Sequence, residues 1–450
     1  MLGYSSAHER RIMPTIIGLI FFLASIYFFF QKNDSLFALV IISSIFHASS
    51  VIATEEHGVE PYYLVAAVFV LQSMYRGRIF RRDSGSFKGR RWMLLFAVVA
   101  ISSAMILPAV FAGIPVYDPY VGIDDGLFFR PPLHLGLANF TQSVYLLLDV
   151  LVVLGAAQNL VRAPSSRKAY MFTFYFLAGT VILQFICSVI GIAFPYALLQ
   201  THGGYNVQEV QAGDWSSRFP GTFTESSGAG LVLATFTAGF LAERLKFGKS
   251  LFPALIGLFS IFLVRATGSL AAIGLIVVLL LIAHPIWRFP FYINLLMLRR
   301  CALLIGMAAL ALVIVVLSPL RDSLTSATAG KQEGASFVNR TASDVYALEL
   351  LIKTKGLGVG MGSNRPSSLL TSLLSTVGVI GFAAFLLAYF KLLANASQEN
   401  AWLRWAGFAL FLDIAFSDPD FTAPWIWVFL AFAVQAGRLQ DLKTPILARP

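Results

Sequence analysis

Charge is scarce in this 450-residue chain: only 12% of its residues are Asp, Glu, Lys or Arg, while 57% are apolar. Soluble domains carry about 25% charged residues. A chain this poor in charge cannot cover its own surface with polar groups, so its solvent is largely lipid. That excludes a soluble enzyme, a disordered protein and a receptor with a single anchor. Cysteine is nearly missing too. Cys187 and Cys301 both fall inside apolar runs and form no CxxC pair, which predicts small core residues and no disulfide framework. The six histidines, at 8, 47, 57, 134, 202 and 284, show no HxxxH or HxH spacing, so no zinc site is expected. GxGxxG and a Ser-His-Asp arrangement are absent as well.

What is present is a series of apolar segments, at about 12–30, 35–53, 61–75, 92–112, 139–157, 170–199, 226–242, 251–266, 268–283, 301–319, 368–390, 403–417 and 424–437, each bounded by charge, Pro or Gly. A membrane span needs roughly 20 apolar residues. The expected fold is therefore all-α: one polytopic membrane domain, 1–450, with about 12–14 transmembrane helices. The N-terminal run has no small-residue cleavage site after it and is kept as the first span.

The net charge is +10, and its distribution along the chain is uneven. Loop 76–91 holds seven cations and one acid, and 158–169, 243–250, 284–300 and the tail after Gly437 are also basic. Between them 54–60, 113–138 and 200–225 are acidic. Cytoplasmic loops retain Lys and Arg, which places the basic set and the C-terminus inside and the acidic set outside. Loop 76–91 lacks interleaved aromatics and reads as a topology determinant touching anionic lipid, with no nucleic-acid role. This count puts the N-terminus outside, unless a segment such as 35–53, which contains SSIFHASS, fails to span.

The outer loop 320–367 is the longest connection and carries six cations against four acids. A cationic outer loop points to an anionic ligand. Its end reads GLGVGMGSNRPSSLLTSLLSTVGVIG, where alternate glycines, Gly360 and Gly362 among them, with Ser363 can bring backbone N–H groups close to a phosphate. Arg365 then stands at the N-terminus of a helix expected to begin near Ser367, with Pro366 in its first turn. The competing reading is a glycine hinge with a snorkelling arginine. In WSSRFPGTFTESSGAG, Arg218 lies seven residues before Glu225. Thr222 and Glu225 match a capping box, the favoured reading on spacing; the alternative is a general base. Arg265 sits at the outer end of a helix beside a very short turn, and Arg340 lies within the long outer loop. Asp149 is close to mid-membrane, and Asp413, followed by Asp418 and Asp420, is expected to pair with an arginine.

The block RFPGTFTESS, the RATGS turn and the stretch from Arg340 through GLGVGMGSNRPSSLLTSLLSTVGVIG resemble, in that order, the bacterial Wzy-type polysaccharide polymerases and the related O-antigen ligases. The resemblance implies a type C glycosyltransferase of the inner membrane with a long late periplasmic loop. It implies a donor glycan linked through pyrophosphate to undecaprenol and a lipid-linked repeat unit as acceptor, with no metal or other cofactor. Arg218, Arg265, Arg340 and Arg365 would bind the pyrophosphate, and Glu225 would accept the acceptor's proton. Members of this family commonly work beside a chain-length co-polymerase and a flippase. The ligases usually carry a histidine in the late outer loop; 320–367 has none, which favours polymerase over ligase. A Ser-Arg pair expected after the Thr-Gly turn is Ser269-Leu270 here. Transfer of finished glycan to a lipid A core, and a polysaccharide-unit flippase or secondary transporter with Asp149 and Asp413 as coupling acids, are the alternatives.

Overall fold

The computed structural model describes residues 13–31, 35–54, 58–79, 87–118, 130–158, 163–202, 218–283, 335–396 and 400–443. The apolar segment 301–319 with Cys301, loop 284–300 and the first part of loop 320–367 lie outside the described residues. The described chain is mostly helix. In order, the helices are α1 (Ile16–Phe30), α2 (Leu36–Ser43), α3 (Pro61–Tyr75), α4 (Arg90–Val110), α5 (Leu137–Gln158), α6 (Ala163–Ile190) and the short α7 (Tyr196–Leu199). Then come α8 (Ser226–Phe247), α9 (Phe252–Val264), α10 (Thr267–Ala283), α11 (Ala335–Lys353), α12 (Leu369–Leu393), α13 (Ala401–Ser417) and α14 (Pro424–Lys443). Two two-residue strands, β1 (Met13–Pro14) and β2 (Ile52–Ala53), pair antiparallel.

Among the described residues, five helices are long and apolar enough to cross a membrane: α4, α5, α6, α8 and α12. Shorter apolar helices flank them. α8 is the hub, 83% buried over its apolar stretch and packed on α9, α10 and α13. Small residues let its neighbours approach: a Cβ on Gly230 would stand 2.5 Å from Ala266 Cβ, and one on Gly239 2.9 Å from the Trp402 ring. One continuous apolar core runs from Ile17 to Val434, and a small second cluster lies where Tyr117 meets Tyr346. Cys187 is half-buried and free of a disulfide.

The bundle has two chemically different ends. At one, the basic turns meet: Lys88 N donates to Asn395 Oδ1 (2.9 Å), Lys249 and Arg167 both pair with Glu243 (2.6 and 3.3 Å), and Arg438 Nη1 donates to Ala157 O (2.8 Å). At the other, 44–54, 58–60, 111–118, 218–225, 354–368 and 418–423 come together. α1 starts at this second end, because Thr15 caps it and also donates to Ser50 O. Segment 35–50 has only α2 as regular helix; Ser44 to Ser50 turn irregularly. Two expected boundaries also move. α11 forms inside the stretch read as loop 320–367, and α12 begins at Leu369, so Pro366 precedes it instead of entering its first turn.

Candidate functional site

The glycine stretch is not a surface phosphate loop. It runs beside a break in α12, where Gly378 leaves the helical conformation (φ 68°, ψ −173°). Val359 N donates to Ser375 O (2.8 Å), Gly360 N to Thr376 O (2.9 Å), and Val379 N to Gly356 O (3.0 Å). Gly358 N is taken by Thr354 Oγ1 and Met361 N by Ser103 Oγ. Gly356, Gly358, Gly360 and Gly362 all have φ between 81° and 100°. A Cβ on Gly358 would stand 2.6 Å from Thr376 O, on Gly360 2.8 Å from Ser103 O, and on Gly362 2.7 Å from Ala138 O. Left-handed backbone and backbone-to-backbone contact both demand glycine here. Of the N–H groups expected to form a cradle, Gly360 N is thus spent on α12 and Ser363 N on Gly360 O (3.1 Å). Ser363 is itself 5% exposed, and its hydroxyl accepts from Asn139 Nδ2 (2.8 Å).

The N-terminus of α12 is also occupied. Asp344, on α11, accepts from Ser367 N (2.9 Å), Ser367 Oγ (2.8 Å) and Thr371 Oγ1 (2.8 Å). A carboxylate therefore already fills the positive end of the helix where a phosphate was expected. Sequence reading missed Asp344, whose spacing from Ser367 carries no local signal. Arg340, one turn earlier on α11, is exposed, and its carbonyl accepts from Ser367 Oγ (3.4 Å). Arg365 is exposed as well, and its N–H donates to Tyr117 O (3.2 Å). Ser367 thus brings Arg340 and Arg365 into one neighbourhood.

Around Arg365 the fold assembles residues from four distant stretches. Asp418, just past α13, is half-buried, and Asp420 N donates to its Oδ1 (3.0 Å). Burial first, then the Asp420 charge, push the Asp418 carboxyl up to about 6, against the lowering pull of the Asp420 backbone, Arg365 and His47. His47 Nε2 lies 3.6 Å from Glu60 Oε1, its Nδ1 lies 3.3 Å from Thr224 Oγ1, and its ring stacks on Phe223. Glu60 is 6% exposed at the start of α3. Deeper in the bundle, Tyr62 Oη donates to Asp149 Oδ1, Asp149 Oδ2 is buried without a hydrogen-bond partner, and Tyr63 stacks on Tyr145 (4.0 Å). His47 and Glu60 were passed over in the sequence because they belong to different segments and match no motif.

The remaining expected residues are placed as follows. Glu225 is the exposed N-cap of α8, but its side chain makes no cap bond; Ser227 Oγ donates to it (3.2 Å). Thr222 is fully buried with its hydroxyl on Ile45 O, so the Thr222–Glu225 capping box does not form. Ala48 N donates to Thr222 O (3.0 Å), which ties this segment to His47. Arg218 is exposed. Arg265 is half-buried and caps α9 in the left-handed region (φ 54°), an uncommon conformation for a side chain of its size. Among the described residues Asp413 pairs with no arginine. It accepts from Ser269 Oγ (2.6 Å), tying the first turn of α10 to α13, and from Ser417 Oγ (2.8 Å) one turn along its own helix.

No protein-family model matches the chain, and no curated protein matches it either.

Proposed function

We propose that the chain is a glycosyltransferase of the bacterial inner membrane that polymerises undecaprenyl-pyrophosphate-linked repeat units into exopolysaccharide or O-antigen. The observation that carries this reading is the gathering of Arg365, Asp418, His47 and Glu60, with Glu225 beside Thr224, at the end of the bundle opposite the basic turns. Cytoplasmic loops retain Lys and Arg. The basic end, with the end of α14, then faces the cytoplasm and the gathered residues face the periplasm.

In this reading the acceptor hydroxyl oxygen attacks the anomeric carbon of the donor glycan while the anomeric C–O bond to pyrophosphate breaks. The hydroxyl proton passes to Glu225, an exposed carboxylate that caps nothing. Arg365, supported by Arg218, Arg265 and Arg340, stabilises the charge on the departing pyrophosphate. The arginines then act with their side-chain forks, since the N–H groups of Gly358, Val359, Gly360, Met361 and Ser363 already have acceptors within the protein.

Cells lacking the protein are expected to accumulate single lipid-linked repeat units. Long free polymer without surface attachment would make the protein a ligase. Units held on the cytoplasmic side would make it a flippase. Either outcome overturns the polymerase reading.

A further inference from the structure

Beside the site, Arg130 and α11 border an open groove of about 540 Å³. Arg130 is held in place by aromatic rings: its guanidinium carbon lies 3.8 Å from the centroid of Tyr346 and 4.8 Å from that of Tyr117. Its Nη2 donates to Tyr117 Oη (3.0 Å), and the Tyr346 hydroxyl is in turn fixed on Pro115 O (2.7 Å). A guanidinium has five N–H donors. One is used here, and among the described residues no carboxylate pairs with Arg130. The other walls carry Thr341 and Glu349, with Val338 and Val345 presenting apolar surface at 55% and 53% exposure. Glu349 also pairs with Lys353 (3.5 Å).

We propose that this groove is a saccharide subsite, in which Arg130 and Glu349 hydrogen-bond sugar hydroxyls while Val338 and Val345 meet the C–H faces of the rings. Three features favour a sugar over a phosphate. The lining offers donors and an acceptor together, the Glu349 charge opposes a dianion, and the aromatic clamp fixes the guanidinium plane before any ligand arrives. The groove also adjoins the arginine proposed to hold the pyrophosphate. Tyr117 supports Arg130 through its ring and hydroxyl, and Arg365 through its carbonyl. A glycan whose pyrophosphate lies at Arg365 would extend along α11. The inference rests on the polymerase reading and names where that substrate's sugars lie.

The test places the photo-crosslinking residue p-benzoylphenylalanine at Val345 in the full-length protein, in cells that normally carry it. The control position is Val110, an exposed residue at the end of α4 on the same end of the bundle. Irradiation is expected to give a carbohydrate adduct at Val345 and none at Val110. Arg130→Lys, which keeps the charge and the aromatic contact, should lower that adduct roughly tenfold, the size of one charge-assisted hydrogen bond. A phospholipid adduct, no adduct, equal carbohydrate adducts at both positions, or an adduct indifferent to Arg130→Lys would each overturn the proposal. Failure here with repeat units still accumulating in the deletion strain would remove the subsite and leave the polymerase reading. A carbohydrate adduct without that accumulation would do the reverse.

Discussion

Asp418 and Arg365 set the electrostatics at the site end of the bundle. A carboxyl raised to about 6 on folding favours the protonated folded form. Its contribution to stability is complete below about pH 4 and is lost as the pH rises through about 6, by on the order of 2–3 kcal/mol. Thermal unfolding of the purified protein at pH 4.5 and 7.5 should show this loss, and Asp418→Asn, neutral at both values, should lack it. Arg365 is tested differently. Arg365→Lys keeps the charge but removes the planar fork, so polymer output should fall by at least about tenfold with the protein still folded; full-length polymer would rule out a pyrophosphate clamp. Glu225→Gln should slow polymerisation by roughly 10²–10⁴-fold, since the side chain caps nothing and its loss leaves the fold intact. Were His47→Gln to produce that loss and Glu225→Gln not, the proton acceptor would be His47, oriented by Glu60.

Two elements carry the architecture of the site, the broken helix α12 and the glycine stretch beside its break. Ordinary helix rules predict a straight span from the apolar run at 368–390, and nothing local in Thr-Val-Gly-Val marks Gly378 as a break. The break exists because the backbone groups it frees are taken by 356–360, residues that the sequence suggested for a ligand. Gly360→Ala should therefore cost about 2–3 kcal/mol of stability and reduce the yield of folded protein, because the new Cβ meets backbone that cannot retreat. Gly113→Ala, also at positive φ but with open space around the new methyl, should cost about 1 kcal/mol. A Gly360→Ala protein as stable as the parent but deficient in substrate binding would restore the phosphate-loop reading.

For the whole molecule, the two ends make a prediction about sidedness. With Cys187 and Cys301 replaced by Ala, a cysteine at Leu198 should react with a membrane-impermeant maleimide in intact spheroplasts. A cysteine at Lys249 should react only after permeabilisation; the reverse pattern would turn the bundle over. The sequence by itself determined the membrane class, the apolar segments and the segregation of basic turns. Each of these follows from the transfer free energy or charge of residues close together in the chain, which needs no knowledge of partners. Only the tertiary structure decided that Asp344 occupies the N-terminus of α12, that Thr222 turns to Ile45 and leaves Glu225 uncapped, and that His47 meets Glu60 and shares the field of Asp418 with Arg365. Those pairings depend on how each helix is rotated and where α12 breaks. Such choices are set by packing between segments far apart in the chain, and composition, periodicity and spacing do not encode them locally.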